Sequence, residues 1–196
     1  MSRRLEIPLF PLHTVLFPDG LLPLRVFEPR YTDMISACLR NDAPFGVCLI
    51  REGSEVGDAA SIHQVGTLVK IEDWHKRHDG LLGITVLGQQ RFIIKKETVH
   101  GNQLVTAEVE LQPPEPEVSV PADFLCLVDI LREIIEQVAY RYQNRPVRYD
   151  DASWLGFRLA ELLPIRLAQK QYFLQLNDPI LRLERLLTVL ERLELR

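Results

Sequence analysis

The chain has 196 residues, which fits one domain or one domain with an appendage. Hydrophobic residues make up 46% of it and charged residues 26%, a composition that excludes a disordered protein. Lys and Arg total 23 against 27 Asp and Glu, so a net charge of -4 disfavours nucleic acid as a general partner.

The first part of the chain carries a strand pattern, with short apolar runs rich in β-branched and aromatic residues between Gly and Pro. The predicted strands are Leu5–Phe10, Thr14–Phe17, Leu22–Phe27, Phe45–Ile50, Gly66–Trp74, Leu81–Leu87, Arg91–Glu97 and Gln103–Leu111. Asp79-Gly80 predicts a hairpin turn, and Gly88 predicts a second turn.

One helix interrupts these strands. Glu28-Pro29 is typical of a helix start, and an apolar stripe at helical spacing follows, made of Tyr31, Met34, Ile35, Cys38 and Leu39. Many short strands with a single inserted helix predict a small closed β-barrel or a strongly curved sheet.

A proline-rich acidic segment, Gln112–Pro121, divides the chain. We predict a β-barrel domain over residues 1–118, with a net charge of -4, and a helical domain over residues 119–196, with a net charge of zero. Four antiparallel helices are expected in the second domain: Ala122–Tyr142, one from Asp151 or Ser153 to Leu163, Arg166–Leu176, and one that starts at Asn177-Asp178-Pro179. The last helix has surplus apolar residues, which suggests a partner, and self-association stays open.

The sequence contains no recognisable catalytic motif. No Gly is followed by Lys, as a phosphate-binding P-loop requires, and H-E-x-x-H, G-x-G-x-x-G and nucleophile-elbow patterns are missing. His75, His78 and Asp79 are the best metal candidate, but a hairpin tip would hold the two imidazoles apart. We therefore predict no metal, no cofactor and no enzymatic activity.

Targeting and redox signals are also weak. The longest uncharged stretch, Ile7–Pro18, is interrupted by two prolines and falls far short of a membrane span. Glu6 breaks the apolar run that a signal peptide would need after Arg3 and Arg4. We expect a cytoplasmic protein with no membrane contact, whose three cysteines, Cys38, Cys48 and Cys126, are buried and reduced.

The segment Ile7–Tyr31, IPLFPLHTVLFPDGLLPLRVFEPRY, alternates five prolines with large apolar residues. Proline removes a backbone donor, so its strands should be short, bent or at an edge, where another chain could add. Barrel corners are the alternative interpretation. Among the charges of this segment, we expect Glu28 to form a structural ion pair with Arg25 or Arg30 at the strand-to-helix junction.

Several blocks of the chain resemble one known family. IPLFPLHTVLFPDGLLPLRVFEPRYTDMI is similar to the opening of the N-terminal domain of the ATP-dependent Lon protease, and VGTLVKIEDW, DGLLGITVLGQQRFII and LAELLPIRLAQKQYFLQLNDPILRLERLLTVLERL resemble later blocks of it. The resemblance implies an α+β fold, a PUA-like β-barrel with one inserted helix followed by a bundle of about four helices. It also implies a region that engages substrate polypeptides and helps assembly, whereas ATP hydrolysis and Ser-Lys peptide cleavage reside in later domains.

These observations lead to a predicted non-enzymatic module that binds exposed apolar segments of unfolded or misfolded polypeptides. The candidate binding residues are Phe10, Leu12, Phe17, Tyr31 and Trp74, for all of which core packing is the alternative. A PUA-like RNA-binding module is the competing hypothesis, with a surface formed by Trp74, Lys76, Arg77 and Arg91.

Overall fold

A computed structural model describes residues 4–138 and 145–194 of the chain. The chain divides into two compact units, one that ends at Pro114 and one that begins at Glu115, four residues before the end of the predicted first domain. Within the described ranges, no helix is both long enough and apolar enough to cross a membrane.

The first unit contains seven strands and one α-helix. The strands are β1 Arg4–Leu12, β2 Leu21–Val26, β3 Phe45–Glu52, β4 Ser61–Ile62, β5 Val65–Lys76, β6 Leu82–Val99 and β7 Val105–Leu111, and the helix is α1 Pro29–Asn41. The two-residue strand β4 was not predicted, because its pattern is too short to read from sequence.

Five of these strands close into a ring. The sheet runs β1-β7-β6-β5-β3, and β1 also pairs in parallel with β3, which joins its two ends. Strand β2 adds to β6, and β4 adds to β3. Helix α1 buries Tyr31, Met34, Ile35 and Cys38 against this sheet. The prediction of an α+β chain, with a β-rich part followed by a helical part, is confirmed.

Two local predictions in the first unit are wrong. Thr14–Phe17 is not a strand, and Gly88 lies inside the continuous strand β6 rather than at a turn. The backbone around Asp19 packs on β6: its N–H donates to the Gly88 carbonyl at 2.8 Å, and the Gly88 N–H donates to the Gly20 carbonyl at 2.8 Å. A Cβ atom on residue 88 would collide with the Phe17 carbonyl oxygen, which explains the glycine.

The second unit is helical. Its elements are a 3-10 turn Ala122–Phe124, α2 Leu125–Gln137, α3 Ala152–Leu162, α4 Leu167–Gln175 and α5 Pro179–Glu194. Residues 139–142 of the predicted Ala122–Tyr142 helix lie outside the described residues. Asp151 caps α3, since its carboxylate accepts a hydrogen bond from the Ser153 N–H at 3.0 Å. Asp178 caps α5 in the same way.

A fully buried arginine holds this unit together. Arg182 on α5 donates to both carboxylate oxygens of Glu115, at 2.9 and 2.5 Å, and to the carbonyl oxygens of Phe173 and Leu176. Its guanidinium also lies 3.9 Å from the centroid of the Phe157 ring. One side chain therefore links the start of the unit to α3, to the end of α4 and to α5.

Candidate functional site

The structure separates the five predicted polypeptide-binding residues. Phe10, Leu12 and Tyr31 lie in the core of the first unit, where the rings of Phe10 and Tyr31 stack with centroids 4.1 Å apart. Phe17 is also fully buried. Trp74 is different, because 60% of its surface is exposed. Of the five side chains, only Trp74 is therefore available to a partner at the surface of this structure.

Trp74 belongs to an apolar strip along three neighbouring strands. In the β5–β6 ladder it lies opposite Ile84, and Ile71 lies opposite Val86, while Leu24 on β2 also faces Ile84. Directly opposed residues project from the same side of a sheet, so these side chains share the side that α1 covers. We call the partly or fully exposed members of this strip the hairpin face: Leu24, Ile71, Trp74 and Leu82.

A small cavity adjoins the hairpin face. It has a volume of about 140 Å³ and lies where the end of α1 meets β5, with Cys38, Leu39 and Ile71 among its lining residues. Ile71 thus belongs both to the cavity and to the hairpin face. Its other side is polar, since Asp42, Lys70 and Gln89 also line it and Lys70 Nζ lies 3.7 Å from the Asp42 carboxylate, so it offers an apolar wall beside a polar one.

The hairpin beside Trp74 is held in shape by a network around Asp79. The Asp79 carboxylate accepts from the Leu81 N–H at 3.1 Å and lies 3.3 Å from Arg77 Nε and 3.5 Å from Arg25 Nε. The Leu81 hydrogen bond, together with the Arg77 hydrogen bond and the charges of the two arginines, lowers the pKa of Asp79 below its usual value. Gly80 supplies the positive φ of the turn, at 82°.

At the strand-to-helix junction, Glu28 pairs with Arg30, one of its two predicted arginine partners. Arg30 is buried, and its Nε lies 2.9 Å from the Glu28 carboxylate, while its Nη1 donates to the Gln103 carbonyl at 2.9 Å. Its guanidinium also lies 4.6 Å from the centroid of the Tyr31 ring. Arg25, the other predicted partner of Glu28, lies instead beside Asp79.

The predicted RNA-binding surface is not assembled. Arg91 is buried at 5% exposure, opposite Thr67, and Arg77 is engaged by Asp79. Of the four, Trp74 and Lys76 are exposed neighbours on β5 for which the described residues show no hydrogen bond or ion pair of the side chain. The described residues also contain no group of three His, Cys, Asp or Glu side chains that could hold a metal ion.

Comparison with known proteins decides the family. The family model of the ATP-dependent protease La (LON) substrate-binding domain matches residues 6–192. The chain belongs to this family.

Curated relatives and solved structures agree with this assignment. The chain is 29% identical to Lon protease 2 of Herpetosiphon aurantiacus and 27% identical to the Lon protease of Escherichia coli K12, matching 96% and 97% of its own length. It spans only about a quarter of those relatives, 24% and 25%. The crystal structure of a Lon N-terminal domain protein from Xanthomonas campestris matches with a TM-score of 0.80 and 37% identity, over 94% of this chain and 98% of that one.

A more distant structure shares the fold alone. The N-terminal domain of the Mycobacterium avium complex Lon protease aligns with a TM-score of 0.64 at 18% identity, over 93% of this chain and 96% of that one. The predicted resemblance to the Lon N-terminal domain is thus confirmed along nearly the whole chain.

Sequence reasoning missed Leu24, Ile71 and Leu82 of the hairpin face and Leu39 of the cavity. Ile71 was assigned only to a strand, and Leu39 was placed on the buried stripe of α1, whereas Leu39 is 37% exposed at the cavity. Leu39 is the last member of that stripe, one turn before Asp42 ends the helix. The position of Leu39 at the margin of the apolar face of α1 is the sequence signal that could have identified it.

Proposed function

We propose that this Lon substrate-binding domain binds exposed apolar segments of unfolded or misfolded polypeptides through the hairpin face. The exposure of Trp74 is the observation that carries the proposal. A tryptophan with 60% of its surface in water loses apolar hydration when a partner covers it, and Trp is among the residues that contribute most to binding. The family assignment supports the same class of ligand.

The neighbouring cavity supports an extended apolar ligand. Trp74 and Ile71 lie on the same side of β5, and the cavity begins at Ile71. A bound segment would cover Trp74 with one side chain and place another in the cavity. Shape and apolar contact would therefore select the ligand, and salt should weaken binding little, whereas sulfate should strengthen it.

A non-enzymatic role is part of this proposal. The chain matches the substrate-binding domain and about a quarter of its Lon relatives. The hairpin face consists of an aromatic ring and aliphatic groups, which can hold a polypeptide but cannot supply a nucleophile or a general base. Incubation of the purified chain with a labelled unfolded protein should therefore leave that protein uncleaved, with or without ATP.

A fluorescence-anisotropy titration tests the binding proposal. The probe is a labelled, reduced and carboxymethylated protein, and the same protein in its native, disulfide-bonded form is the comparison. Trp74→Ala should weaken binding of the unfolded probe about tenfold or more, while Leu125→Ala, which removes an exposed leucine from α2, should leave it unchanged. Equal affinity of the wild-type chain for both forms of the probe, or no effect of Trp74→Ala, would refute the proposal.

A further inference from the structure

A second apolar surface lies in the helical unit, between α4 and α5. Two cavities, with volumes of about 310 and 420 Å³, share four lining residues: Ala168, Gln169, Val189 and Arg192. The shared residues make the two cavities adjacent, and we call them together the α4–α5 groove. Helix α4 has nine residues, so the groove is about 13 Å long, enough for about four residues of extended chain.

The groove exists because α5 presents two different faces. Leu183, Leu186 and Leu190 are buried and hold α5 in the core of the unit. Arg185, Thr188, Val189 and Arg192 recur at i, i+3, i+4 and i+7, so they form a separate face that lines the groove. The core leucines fix the helix while this second face stays accessible.

The floor and the rim of the groove differ in chemistry. Ala168, Val189 and Tyr172 provide carbon surface, and the Tyr172 side chain is 45% exposed. The rim carries three exposed guanidinium groups, those of Arg166, Arg185 and Arg192. No Asp or Glu lines either cavity, and within residues 4–138 and 145–194 none of the three arginines forms an ion pair.

We infer that the α4–α5 groove is a second polypeptide-binding site, which takes an apolar segment that carries Asp or Glu beside its apolar side chains. This inference rests on the proposed polypeptide-binding function and adds that the bound segment is acidic. Tyr and Arg are the residue types that interfaces concentrate, and guanidinium pairs with carboxylate through two parallel hydrogen bonds. The apolar floor favours a peptide over a nucleic acid strand, whose phosphates would engage the rim but leave the floor uncovered.

The test uses the full chain and three labelled twelve-residue peptides in anisotropy titrations. One alternates Leu and Phe with Glu, the second replaces each Glu by Lys, and the third replaces each Leu and Phe by Ser. The first should bind at least about fivefold more tightly than either of the others, and its affinity should fall as salt is raised. The double variant Arg185→Glu/Arg192→Glu should weaken the first peptide about fivefold or more.

A matched control carries the same change of charge elsewhere. Arg40→Glu/Lys96→Glu replaces two exposed basic residues of the first unit and should leave binding of the acidic peptide unchanged. Ala168→Trp, which fills the groove without changing its charge, should also abolish binding of this peptide. Circular dichroism should show native helix content in every variant that is compared.

The outcomes separate this inference from the proposed function. If Trp74→Ala abolishes binding of the acidic peptide while the groove variants bind it normally, the hairpin face binds polypeptide and the groove inference is wrong. Tighter binding of single-stranded RNA than of the acidic peptide would overturn it, and so would sedimentation data that show a dimer of the wild-type chain and a monomer of Ala168→Trp. Loss of binding in both groove variants, with normal binding by Trp74→Ala, would establish the groove.

Discussion

Arg182 offers a direct test of how the helical unit is stabilised. The change Arg182→Met keeps much of the side-chain volume but removes the guanidinium, and it leaves the Glu115 carboxylate buried at 6% exposure without this cation. Removing one partner of a buried ion pair costs about 3–5 kcal/mol, because an uncompensated charge remains in a poorly polarisable environment. Since small domains have ~5–15 kcal/mol of stability in total, the effect should be large.

Urea unfolding followed by tryptophan fluorescence measures this loss. The chain has two tryptophans, and Trp154 on α3 is buried in the helical unit, so a Trp74→Phe background makes it the sole reporter. With a urea slope of ~2 kcal/mol per molar, Arg182→Met should lower the midpoint by about 2 M. Arg185→Met, an exposed arginine on the same helix, should change stability by less than ~0.5 kcal/mol.

A double-mutant cycle identifies the source of the loss. If burial of the Glu115 charge without the Arg182 guanidinium is the main cost, then Glu115→Gln in the Arg182→Met background should restore about 1–3 kcal/mol. A loss below ~1 kcal/mol in the single variant would refute the reasoning. A double variant that is no more stable than Arg182→Met would show instead that the contacts of Arg182 with the carbonyl groups and the aromatic ring dominate.

Three further predictions concern the first unit and the cysteines. Gly88→Ala should destabilise the β-barrel by about 1–3 kcal/mol in thermal unfolding, whereas Gly101→Ala, with open space around its Cβ position, should be near neutral. In the native protein Ellman's reagent should label Cys126 rapidly and the two buried cysteines only after denaturation; two fast thiols would contradict the structure. The pKa of the Asp79 carboxyl, measured by NMR titration, should lie below its ordinary value of 3.8. Its stabilisation of the hairpin should therefore be complete above pH 3.8 and should be lost as the pH falls through the lowered pKa. A measured pKa above 3.8 would refute this prediction.

The sequence predicted the fold class because its signals are local and repeated. The apolar stripe of α1, the Asp79-Gly80 turn and the cap before α3 each depend on a few neighbouring residues, and all three agree with the structure. The segment Thr14–Phe17 has an equally good strand pattern, yet its backbone bonds to other partners: the Leu16 carbonyl accepts from the Thr67 hydroxyl at 2.5 Å. That partner is 51 residues away and leaves no local pattern.

The candidate site was harder to predict for a related reason. Phe10 and Trp74 are both large aromatic residues on strands, yet Phe10 stacks on Tyr31 of α1 whereas Trp74 stays exposed. Cys126 shows the same limit: its apolar neighbours predicted burial, but it lies on the exposed side of α2. The type of a residue predicts whether burial is favourable for its side chain, but packing between distant elements determines whether that side chain is buried.

The closure of the β-ring constrains how this chain can fold during synthesis. Strand β1 is held between β3 and β7, and its pairing joins Arg4 to Glu110. A nascent chain therefore cannot complete the ring until residue 111 has left the ribosome, and until then β1 keeps one unpaired edge. Contacts so distant along the chain also form slowly. Of the five strands of the ring, β1 is thus the first to be synthesised, yet both of its edges are paired only when β7 arrives.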